Sequence, residues 1–235
     1  MSKRFVAALS AILCIVFVSQ VQADTANPIS FVVADVHFGD SSAKVLNVAT
    51  KLGMTLKSEM NYNPQGDFGV SLASQTFSRP AAKYQVEELT VQYSRTSTVV
   101  VGIDRRLPID PLVNTSVVRE SVVARFGKQV TAKPFGGFDQ LGIFHYAWTR
   151  AGEQIQQAAK CDLNGIPVRN AQPDCGLAAT VSMQTVQNNA YVNYETITVF
   201  DWAKHFDELS VAAKSEVSQK EGHLDKNKSR AAPKL

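Results

Sequence analysis

The sequence predicts an α+β fold, antiparallel sheet with helices on one face, arranged as two similar helix-plus-meander halves. Two stretches, residues 41–53 and 115–127, carry apolar residues at helical spacing, open on Ser, Thr or Asn and stop at Gly53 and Gly127. Each is followed by runs in which apolar and polar residues alternate with period two, as strands with one buried face require. Both series finish in a hairpin. Residue identity between the halves is slight, so what repeats is the pattern.

In chain order, the first element is a secretory signal. Lys3 and Arg4 precede a run of fourteen residues from Phe5 to Val18 that is apolar except for Ser10, and Val21-Gln22-Ala23 sets small residues where a signal peptidase reads them. Cleavage is expected between Ala23 and Asp24. Fourteen helical residues span roughly 21 Å, short of a hydrocarbon core of ~30 Å, so no stable membrane insertion is expected once the signal is removed. The domain plan is then 1–23 signal, 24–110 first half, 111–213 second half with a cysteine loop, and 214–235 a charged tail expected to be disordered.

Charge follows the same divisions. The 235-residue chain carries a formal +3, of which the signal holds +2 and the segment from Lys214 another +3, leaving −2 on the body. A body of that sign offers no basic face for nucleic acid.

Residues 29–36 read as a β-branched strand, and Gly39-Asp40-Ser41-Ser42 ends it and supplies N-caps. Val45, Val48, Ala49 and Leu52 then fall on one helical face. Runs 54–60 and 68–77 follow as strands about a turn at 63–67, and 86–94 pairs with 98–103 as a hairpin about Arg95-Thr96-Ser97. Pro108 and Pro111 punctuate the chain before the second helix, which aligns Val118, Val122 and Phe126. Val45, Leu52, Val118, Val122 and Phe126 are the expected buried residues.

The run Ile143–Thr149 separates Phe144, Tyr146 and Trp148 from Ile143, His145, Ala147 and Thr149 by period two. Residues 177–186 and 191–200 form another hairpin about Asn188-Asn189, and Asp201 caps a last helix striped by Trp202, Phe206 and Leu209. Between them, Cys161 and Cys175 bracket thirteen residues rich in Gly, Pro, Asn and Asp. Cys14 leaves with the signal, so the mature chain keeps one pair with one possible connectivity, expected to be bonded in an oxidising compartment.

Phe38-Gly39-Asp40-Ser41 and Leu52-Gly53 give the first helix a Gly before its start and a Leu-Gly stop. This unit resembles the helix-plus-sheet unit of secreted bacterial domains of the beta-lactamase inhibitor protein type, shared by outer-membrane assembly lipoproteins. The resemblance covers about a third of the chain. The second copy lacks the leading Gly, and neither copy has the apolar residue after it. The resemblance implies a class that binds proteins and carries over no functional residue.

The stretch with most chemistry is Asp35-Val36-His37-Phe38-Gly39-Asp40. In an extended strand Asp35 and His37 share a face, where a carboxylate could orient an imidazole for base chemistry or a metal. Asp104-Arg105-Arg106 could grip an acidic partner through guanidinium forks. The sequence contains no G-x-S-x-G, H-E-x-x-H, P-loop or dinucleotide motif, and no catalytic residue, metal ligand or cofactor is assigned. Two readings follow. The first is a periplasmic or secreted protein-interaction module, an inhibitor or envelope accessory whose partner is an envelope or extracellular protein, with Asn164, Arg169 and Asn170 on its binding loop. The second is a small hydrolase or metal-dependent enzyme using Asp35, His37 and Asp40.

Overall fold

A computed structural model describes residues 32–62, 71–81, 85–127, 142–155, 161, 174–188 and 190–229. The signal with its Ala23–Asp24 junction, and the loop carrying Asn164, Arg169 and Asn170, lie outside the described residues. The fold is α+β, as the periodicities predict. Its elements are β1 (Val32–Val33), β2 (Val36–His37), α1 (Ser42–Lys51), β3 (Thr55–Tyr62), β4 (Ser71–Pro80), β5 (Val86–Tyr93), β6 (Val100–Asn114), α2 (Thr115–Phe126), β7 (Ile143–Thr149), β8 (Cys175–Val186), β9 (Tyr191–Asp201) and α3 (Trp202–Ser229).

Seven strands make one antiparallel sheet in the order β3-β4-β5-β6-β9-β8-β7. Each helix-plus-meander series therefore contributes its own side of the sheet, and the two join where their last strands, β6 and β9, pair. The helices start and stop where their caps direct. Ser41 Oγ accepts from the Lys44 amide, Asn114 Oδ1 accepts from the Ser116 amide at 2.9 Å, and Gly53 and Gly127 follow the last turns at positive φ.

One sheet face packs on α1 and α2. Val45 and Ala49, with Val118, Val122 and Phe126, bury against Phe77, Leu89, Val91, Ile103, Val199, Val181 and the Phe144-Tyr146-Trp148 face of β7. Leu52 is half-buried rather than buried, because it caps the helix instead of facing the sheet. The opposite face is covered at one end only. There Val101, Ala147, Ala178 and Phe200 pack with Trp202 at the start of α3 and with the Cys161–Cys175 disulfide, S–S 2.01 Å. Gly102 and Gly176 are needed beside this cluster: a Cβ would stand 2.7 Å from a Phe200 ring carbon at the first and 2.3 Å from the Thr149 carbonyl oxygen at the second.

Several expectations are corrected. Residues 29–36 are not one strand, since Ala34 and Asp35 take φ of 55° and 62° and turn the chain into the β1–β2 hairpin. Pro108 and Pro111 do not end a strand. They lie in β6, where pairing with β9 lapses between Pro108 and Val113 and no ladder amide is demanded. The segment from Lys214 is helical to Ser229, because α3 is already nucleated by its packed first turns and continues through Ala, Lys, Glu and Gln. Leu209 is 47% exposed and does not join Trp202 in the core.

The two edges differ. At β7, residues 149–155 fold back so that the Ile155 amide donates to the Ala147 carbonyl at 2.8 Å and Trp148 bridges Gln154. At β3, pairing with β4 shifts register twice, between Leu56 and Ser58 and between Met60 and Asn61.

Candidate functional site: the open face of the sheet

The part of the sheet that α3 leaves uncovered presents one continuous polar row. Residues in direct register run Ser58, Thr76, Thr90, Asp104, Thr198, Thr180 and His145, one from each of the seven strands. All seven are half-buried or exposed, while on β4, β5, β8 and β9 the residues before and after them are buried, and on β6 Ile103 is buried and Arg105 half-buried. At the strand spacing of about 4.8 Å the row is roughly 29 Å long, the breadth of a protein–protein contact.

Hydrogen bonds order the row across the strands. Thr76 and Thr90 share a bond between their hydroxyls at 3.1 Å, and Thr198 Oγ1 donates to Asp104 Oδ2 at 2.5 Å. His145 Nδ1 and Thr180 Oγ1 are 3.0 Å apart. Burial raises the Asp104 carboxyl above the usual carboxylate range, the Thr198 bond pulls it back and Glu88 adds repulsion.

A second row beside it runs Ser78, Glu88, Arg106, Thr196 and Ser182. Glu88 Oε1 accepts from Lys57 Nζ at 2.7 Å. The Arg106 guanidinium carbon sits 4.3 Å from the centroid of the Tyr194 ring, a cation–π contact. The structure thus divides the Asp104-Arg105-Arg106 run that the sequence singles out. Asp104 and Arg106 reach the open face, whereas Arg105 turns under the helices and binds Glu87 through Nε at 2.9 Å and Nη2 at 2.6 Å. The expected double grip by both arginines is therefore not formed.

The Asp35, His37 and Asp40 cluster is also rearranged. Asp35 sits in the hairpin turn, so the shared strand face with His37 does not exist. Asp40 accepts the His37 amide at 2.9 Å on Oδ2 and Lys44 Nζ at 2.7 Å on Oδ1, which makes it a turn-bracing and ion-pair residue just before the Ser41 cap of α1. Among the described residues, no three His, Cys, Asp or Glu side chains are grouped to hold a metal ion.

At the covered end, α3 is fastened by two carboxylates, of which Asp207 accepts from Arg150 Nη1 at 2.8 Å. Glu208 accepts from the amides and hydroxyls of Thr96 and Ser97 in the β5–β6 turn. Although burial alone would raise its carboxyl, the bonds from Ser97 and Thr96 outweigh it and hold the group down at about 2. Sequence reading missed both Glu208 and the polar row. The row has a signal, the Thr or Ser at alternate positions of β4, β8 and β9 and the single Thr90 of β5, but which of these stand opposite one another is set by the pairing register. No protein-family model, curated protein or solved structure matches the chain.

Proposed function

We propose that the chain is an exported protein-interaction module that docks its partner on the open sheet face. The observation that carries this reading is the polar row itself: seven aligned side chains, one per strand, on a face that α1 and α2 do not touch. A rigid sheet holds such groups in fixed positions before a partner arrives, so little ordering entropy is lost on contact. Arg and Tyr are residue types enriched in protein interfaces, and the hydroxyls, carboxylate and imidazole around them supply the polar contacts of such a surface.

The Cys161–Cys175 bond is compatible with a location outside the reducing cytoplasm, and no described helix is long and apolar enough to cross a membrane. With the N-terminal signal pattern, these support a periplasmic or secreted protein. The helix-plus-meander repeat supports the likeness to protein-binding domains of the beta-lactamase inhibitor protein type.

The test is site-specific photocrosslinking in the cell envelope fraction. A crosslinker at Thr90, Thr196 or Ser182 should give one saturable adduct, and the same crosslinker at Leu46 or Val123 on the exposed backs of α1 and α2 should not. Equal adducts from both sides would remove the open face as the docking surface.

A further inference from the structure

We infer that Arg106, braced on Tyr194 at the centre of the open face, anchors the interface by taking a carboxylate from an acidic loop of the partner protein. This rests on the docking role proposed for that face and names the chemistry of its centre. β6 is the middle strand of the seven, with three on either side, so Arg106 stands where an interface core would form. Its side chain is exposed, and its guanidinium lies 4.3 Å from the Tyr194 ring.

Both nearby acids are already engaged. Glu88, directly opposite Arg106 in register, accepts from Lys57 at 2.7 Å. Asp104, two residues along the same strand and face, accepts from Thr198 at 2.5 Å. Among the described residues no carboxylate oxygen lies within 4.0 Å of Arg106, so the face presents one cation without an ion-pair partner. A guanidinium held over a ring by cation–π attraction keeps N–H donors that a carboxylate can take two at a time. The ring also restrains the long side chain, which reduces the rotamer entropy lost on binding. Thr196, directly across from Arg106, places a hydroxyl beside the same site.

The experiment is an NMR titration of the full mature chain with a hexapeptide of alternating Glu and Gly, and with its Gln counterpart, read at the Arg106 Nε–Hε signal and, in the Arg106 variants, at the backbone amide of Thr196, its partner in register. The Glu peptide should move the signal saturably and the Gln peptide should not. Arg106→Lys should weaken binding about tenfold, because an ammonium lacks the fork. Tyr194→Leu should weaken it less, by loosening the brace. The substituted side chains are half-buried or exposed, and circular dichroism verifies that each variant is folded. Equal response to both peptides, or Glu-peptide binding unchanged in Arg106→Gln, overturns the inference.

A parallel capture from the envelope fraction separates this failure from that of the docking face. Saturable capture lost in Ser182→Arg but retained in Arg106→Glu would leave the face standing and remove Arg106 as its anchor. Capture indifferent to both would remove the face as well.

Discussion

Arg105 and Glu87 meet on adjacent strands beneath the helices, where Nη2 of Arg105 lies 2.6 Å from Oε1 of Glu87 while Arg79 occupies the other carboxylate oxygen at 2.6 Å. Glu87 is 2% exposed, so its charge is desolvated and, among the described residues, matched by these two cations. Glu88, its neighbour in sequence, points to the opposite face and pairs with Lys57 near solvent. Glu87→Ala should cost about 3 kcal/mol, since it leaves the largely buried Arg105 guanidinium without its carboxylate, while Arg79 keeps access to solvent. Lys57→Ala should cost under about 1 kcal/mol, the range of exposed pairs. Urea unfolding of the two variants measures the difference, and similar midpoints would refute the burial argument.

Glu208 should make the docking of α3 acid-sensitive. Its folded carboxyl is held at about 2 against an ordinary 4.5, so its contribution is complete above about 4.5 and is lost as pH falls towards 2. Trp202 fluorescence and hydrogen exchange of the first turns of α3 should change in that window. Glu208→Gln should loosen α3 at neutral pH and flatten the profile.

Asp104 has the opposite sign. Burial raises its folded carboxyl, so the folded state takes up the proton more readily, and stability linked to this group grows as pH falls through its folded value. Asp104→Asn should therefore stabilise the protein at neutral pH, because the amide oxygen still accepts the Thr198 hydroxyl without a desolvated charge. The gain should shrink on acidification. A stability loss at neutral pH that is unchanged in acid would overturn this account.

Tyr146 is 1% exposed, and its hydroxyl has no hydrogen-bond partner among the described residues. Its ring stacks on Phe126 at 5.2 Å and lies 6.1 Å from Trp148. Tyr146→Phe keeps both contacts and removes the orphan hydroxyl, so thermal stability should hold or rise by up to about 1 kcal/mol. Tyr146→Ala should cost about 3–5 kcal/mol through the cavity it leaves.

Replacing Cys161 and Cys175 by Ser should cost roughly 3 kcal/mol on the chain-entropy account of a loop of this length. The loss should be local first. The disulfide belongs to the cluster of Val101, Phe200 and Trp202, separate from the core under α1 and α2. Hydrogen exchange should therefore rise in α3 before it rises in α1 or α2, and a uniform rise would show that the two clusters unfold as one.

Much of the fold is legible because its signals are local. Ser41, Asn114, Gly53 and Gly127 mark helix ends through single hydrogen bonds and backbone angles, and Phe144-Tyr146-Trp148 shows its buried side by alternation alone. The site is less legible because its signals are not local. In β6, Val100, Val101, Gly102 and Ile103 are all buried, since helices cover one face there and α3 with the disulfide covers the other. Alternation therefore has no phase in that stretch, and nothing in the local sequence says that Arg105 turns in and Arg106 out. The polar row is harder still to read, because it exists only once six strand pairings are in register.

The double register shift at β3 bears on how the molecule behaves in a crowd of its own kind. A sheet edge is a template on which a second chain can grow a further strand, and repetition of that step makes fibrils. Each shift kinks β3 and breaks the even spacing of its outward amides and carbonyls, and Lys57 between the paired positions adds a charge that an incoming strand would have to bury. At the other edge, residues 153–155 already occupy hydrogen-bonding positions beside β7. Half-folded chains at high concentration offer strands to one another, and these edges let the seven-stranded sheet close without recruiting an eighth strand from a neighbour.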